Sequence, residues 1–111
     1  MEQRRTRRFT IQLPVAVTRS GAERVAFAGF TKNISSNGVL FTSDREPDLG
    51  GSIEYVITLD QSNSHPVCLR CVGKVVRAER VPGTPAMGFQ IAATLERYEF
   101  VRQHEMRFRP D

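Results

Sequence analysis

A two-residue alternation that restarts several times is what most constrains this chain. Over residues 9–17 the odd positions Phe9, Ile11, Leu13, Val15 and Val17 are all apolar, the pattern of a strand with one buried face. Pro14 has no amide proton and so belongs at an edge, a bulge or a break in the ladder. Arg19-Ser20-Gly21-Ala22 reads as a turn, and a second strand is expected over about residues 24–32 with both faces mixed. Further strands are expected at 39–42, at 52–60 through Ile53, Tyr55, Ile57 and Leu59, at about 67–80, and at 87–91. In the fifth run the alternation through Val67, Leu69, Cys71, Gly73 and Val75 shifts at Val75-Val76, which predicts a bulge or bend. Six such runs with short connections and no βαβ pattern predict an all-β sandwich or barrel.

The period changes after residue 93. Thr94 is a candidate N-cap with Glu96 in the first turn, and Leu95, Tyr98, Val101 and Phe108 fall near one helical face. A C-terminal helix over 94–108 is therefore expected, laid across the open end of the barrel. The expected organisation is an arm at 1–8, a barrel at 9–93 and this helix. A chain of 111 residues has room for one such domain.

Charge is concentrated at one end. Residues 1–8 carry four arginines against Glu2, which accounts for +3 of the formal charge of +4. A binder of long nucleic acid would usually spread its positive charge over a face, so a small anion is the better match. No run approaches the roughly 18 apolar residues of a membrane span, and nothing near Met1 resembles a secretory h-region. The expected location is cytoplasmic.

The chain is expected not to be an enzyme. Ser35 has no nearby His–Asp pattern, and HExxH, GxxxxGK and GxGxxG are all missing. Cys68 and Cys71 form a C-x-x-C inside a strand-like run, where positions i and i+3 point to opposite faces. A disulfide or shared metal is geometrically poor there, so two reduced structural thiols are expected. His65 reads as a surface residue, and His104 has no nucleophile to serve.

Two polar motifs carry the functional signal. Arg4-Arg5-Thr6-Arg7-Arg8 offers guanidinium forks for phosphates and planar bases. Asn33-Ile34-Ser35-Ser36-Asn37-Gly38 offers compact neutral hydrogen-bonding groups in a turn-forming stretch. Asn33 and Ser35 could also serve only as turn formers, and the two roles are compatible. Gly38 suits a turn or a close approach. About two strands separate the motifs, a length that can return the second to the first.

Their order and spacing resemble the PilZ domain, the bacterial receptor module for cyclic di-GMP, whose pattern is Arg-x-x-x-Arg followed by Asp/Asn-x-Ser-x-x-Gly. The resemblance covers roughly residues 4–107 and implies a six-stranded antiparallel β-barrel followed by a helix. It implies that Arg4 and Arg8 contact phosphate and guanine, with Arg5 and Arg7 weaker candidates. Asn33 and Ser35 would meet the guanine edge, and Gly38 would support the loop. No cofactor is implied beyond the ligand. Partners would be cyclic di-GMP and an effector protein. A second outcome has two stacked ligands drawing protein copies together into a homodimer. Two rivals remain: a PilZ-fold interaction adaptor without a nucleotide ligand, and a basic nucleic-acid-binding β-barrel.

Overall fold

The computed structural model describes residues 9–60, 66–82 and 88–102. Seven strands follow one another: β1 (Pro14–Ser20), β2 (Glu23–Ile34), β3 (Gly38–Ser43), β4 (Ser52–Asp60), β5 (Val67–Arg80), β6 (Phe89–Thr94) and β7 (Arg97–Arg102). They are ordered β4-β1-β2-β3-β6-β5-β7, and an additional β4–β5 pairing closes the first six into an antiparallel barrel. Closure leaves none of those six strands as a free edge of the sheet. The six-stranded barrel matches the expectation from sequence.

The expected helix does not. Among the described residues there is no helix, and 97–102 form β7, antiparallel to β5. Thr94 is the last residue of β6, and its hydroxyl accepts the Lys74 amide at 2.8 Å, so it caps nothing. The register supplies the reason. β6 pairs with the second half of β5, from Val75 to Arg80, and β7 continues along the first half, from Val67 to Val72. The two strands are nearly one, interrupted at Leu95-Glu96, where Glu96 N donates to Val72 O at 2.9 Å. Half of β5 would otherwise present unpaired backbone groups, and Tyr98, Phe100 and Val101 are good strand formers. Residues 103–108 of the expected helix lie outside the described residues.

The core is built from the inward positions of the barrel strands. Val15, Val17, Val39, Phe41, Ile53, Tyr55, Ile57, Cys71, Val75, Ile91 and Ala93 form one buried cluster. Tyr55 stacks on Phe41 with ring centroids 5.4 Å apart and donates its hydroxyl to Thr94 O at 3.0 Å. The alternation that begins at Phe9 is only partly used for burial. Val15 and Val17 are buried, whereas Phe9 and Ile11 are exposed and precede the strand. Pro14 opens β1, a position that asks for no ladder donor on one side.

Both cysteines are free and buried. Cys71 sits in the core cluster, and burial pushes its thiol up to about 12. Cys68 is outside that cluster, with its sulfur 3.9 Å from Thr58 Oγ1.

Candidate functional site

The loop between β2 and β3 is shaped by Ser35. Its amide donates to Gly38 O at 2.9 Å, which closes a tight hairpin over Ser36 and Asn37. Its hydroxyl accepts the Asn37 and Gly38 amides, both at 3.2 Å, and donates to Gly38 O at 3.2 Å. This is the serine-turn role, and it occupies the hydroxyl fully in the absence of a ligand. Gly38 is needed for space, since a Cβ there would lie 2.8 Å from Ala93 O on the neighbouring β6.

Beside this loop, the outer face of β2, β3, β6 and the bend of β5 forms an open cleft of about 230 Å³. Asn33, Ser35, Asn37 and Gly38 line one side, Leu40 and Ala92 the floor, and Val76, Arg77 and Thr94 the other side. The second motif is thus gathered in one place. Two β-bulges decide which of its neighbours face outward. Thr31 points into the core opposite Phe41, and strict alternation would turn Asn33 inward as well. A register shift between Thr31 and Asn33 places Asn33 opposite Leu40 and returns Ile34 to the core side opposite Val39. In β5, Val75 is buried opposite Ala93, and alternation would send Arg77 inward. The shift between Val75 and Arg77 sets Arg77 opposite Ala92 and Ala78 opposite Ile91. Re-aiming a side chain in this way is a common use of a bulge.

The cleft's polar groups differ in what they already bond. Thr94 Oγ1 accepts the Lys74 amide and donates to Glu96 Oε2 at 3.0 Å. Its carbonyl accepts the Tyr55 hydroxyl, whose pKa is raised far above the usual phenol range by burial and then by Cys71 and Glu96. Asn33 has no side-chain partner among the described residues, and Arg77 has a 3.8 Å contact to Glu79 with both side chains mostly exposed.

The first motif, with Arg4, Arg5 and Arg8, lies outside the described residues. The chain immediately after it does not. Phe9 bridges Ile34, with Phe9 N donating to Ile34 O at 2.9 Å and Ile34 N to Phe9 O at 3.0 Å. The residue that follows the arginines is therefore tied between Asn33 and Ser35.

A second concavity, of about 360 Å³, lies on the outer face of β4, β5 and β7 among Glu54, Arg70, Val72, Arg97, Tyr98 and Glu99. Its volume is greater, but two of its four charged side chains are already paired with each other and a third is hydrogen-bonded. Arg70 pairs with Glu99 at 2.6 Å, and Glu54 accepts the Thr18 hydroxyl at 2.9 Å. The smaller cleft is the better binding candidate on chemical grounds.

Sequence reasoning missed Leu40, two residues beyond the second motif, and Ala92, Thr94, Val76 and Arg77, which come from strands remote from both motifs. One signal was present: the broken alternation at Val75-Val76, at the bulge that brings Arg77 to the cleft. The model of the PilZ domain family matches residues 2–103. No individual curated protein matches the chain significantly.

Proposed function

The chain belongs to the PilZ domain family, a family of non-catalytic signalling modules, and on that premise we propose that it binds cyclic di-GMP between its arginine arm and the Asn33–Gly38 loop. Family membership supports a general role in cyclic di-GMP binding and signalling. The finer assignment rests chiefly on the Phe9–Ile34 bridge, which roots the arm beside Asn33 and Ser35. Arg4 and Arg8 take phosphate and guanine, because a guanidinium can bridge phosphate oxygens in a bidentate manner or match O6 and N7 of guanine. Arg5 contributes from the same arm. Asn33 meets a guanine edge with its amide, and Ser35 and Gly38 hold the loop in shape.

The cleft is also too slight to act alone. At about 230 Å³ it falls below the usual range of ligand pockets and offers, among the described residues, an open platform. Four arginines in five residues repel one another, and two phosphates would relieve that repulsion by drawing the arm over the platform. Closure of this kind alters the surface offered to an effector protein or to a second copy of the chain.

Isothermal titration tests the binding. Cyclic di-GMP should bind with micromolar or tighter affinity, and GMP and cyclic AMP much more weakly. No heat at about 100 µM ligand, well above a micromolar dissociation constant, removes the reading. NMR tests closure: amides of residues 4–9 should change their relaxation on ligand addition together with shifts at Asn33, Ser35 and Gly38. Loop shifts without a change in the arm would leave binding standing and remove closure.

A further inference from the structure

One row of residues crosses the cleft from end to end. Asn33 pairs with Leu40, Leu40 with Ala92 and Ala92 with Arg77, so four neighbouring strands place these side chains on one face. With strands about 4.8 Å apart, the row spans roughly 14 Å between its terminal Cα atoms. Its middle is apolar and low, and its ends are an amide and a guanidinium. The exposed Val76 extends the apolar surface beside Arg77. A flat heterocycle laid on Leu40 and Ala92 would bring its polar rim toward such ends. Neither end would face outward without its own bulge, one in β2 and one in β5.

We infer that Arg77 is a specificity-determining residue that reads a guanine resting on Leu40 and Ala92. This deepens the cyclic di-GMP reading and rests on it. Guanine presents two acceptors, O6 and N7, that match two guanidinium N–H groups, whereas adenine replaces O6 with an amino donor. Donor then faces donor, and the second bond is lost. The Glu79 contact is little obstacle, because at 3.8 Å between exposed side chains such a pair holds weakly. Ala92 matters by its size, since it keeps the floor low where the ring would lie.

The test is titration of the full chain, and of Arg77→Ala and Arg77→Lys, with cyclic di-GMP and cyclic di-AMP. The wild type should prefer cyclic di-GMP. Arg77→Ala should weaken cyclic di-GMP by about tenfold or more and cyclic di-AMP far less, so that discrimination shrinks. Arg77→Lys should recover little of it, because an ammonium lacks the planar fork. Thermal melts should be unchanged, as the side chain is mostly exposed. Equal losses for both ligands would reduce Arg77 to a general positive charge and overturn the inference, as would no loss at all. If the wild type binds neither dinucleotide, the proposed function falls and the inference falls with it. A wild type that binds cyclic di-GMP while Arg77→Ala is silent removes the inference alone.

Discussion

The two outer faces of this barrel carry similar kinds of side chain and use them differently. Around β4, β5 and β7, Arg70 meets Glu99 and Glu54 meets Thr18. Around β2, β3, β6 and the bend of β5, the backbone and hydroxyl groups are bonded, but the Asn33 amide has no partner among the described residues and Arg77 has only a long contact. Charge alone therefore does not mark a site. What separates the faces is that one already holds its central arginine in a short ion pair, and the other keeps an amide and a guanidinium at the ends of an apolar floor.

The comparison is tested most severely by the arm. Replacing Arg4 and Arg8 together with Ala should lower affinity for cyclic di-GMP by about a hundredfold or more, as each charge-assisted bond is worth about 1.5–3 kcal/mol. Titration reads the loss, and a melt of the ligand-free protein should not move. A large drop in melting temperature would make the arginines structural.

Gly38→Val should act on fold and cleft together. A Cβ 2.8 Å from Ala93 O forces β3 away from β6, at a cost of about 1–3 kcal/mol, which a urea midpoint would show. Ser35→Ala should cost less, about 0.5–1.5 kcal/mol for the hydroxyl's local bonds. It should weaken binding a few-fold through loop geometry. Unchanged loop amide shifts in this variant would mean that the hydroxyl does not shape the loop.

Alkaline pH addresses the core under both faces. The Cys71 thiol is raised from 9.0 to about 12 by burial. Its contribution is complete below pH 9 and is lost as pH rises from about 9 toward 12, because the unfolded chain releases that proton first. Tyr55 acts in the same direction at higher pH. Urea midpoints across this range should fall, and Cys71→Ala should flatten the earlier part of the fall. The smallest effect is expected at Arg70→Ala, on the face of β4, β5 and β7. Binding should be unaltered, and stability should change by less than about 1 kcal/mol, as for exposed ion pairs. Weakened binding there would break the contrast between the faces.

Alternation, turn residues and motif spacing were legible in the amino-acid sequence because each is local. A period of two sends side chains to alternate faces whatever the strand later pairs with, so six barrel strands could be expected before their neighbours were known. The turn at Gly21, with φ of +62°, and the irregularity after Val75 belong to the same class. The helix expected at 94–108 failed because periodicity over a short amphipathic run is ambiguous, and only the unpaired half of β5 decides in favour of β7. Arg77 and Ala92 entered the cleft for a similar reason. Their place beside Leu40 and Asn33 depends on register across four strands and on two bulges, and register is a property of paired backbones that no single stretch of sequence carries.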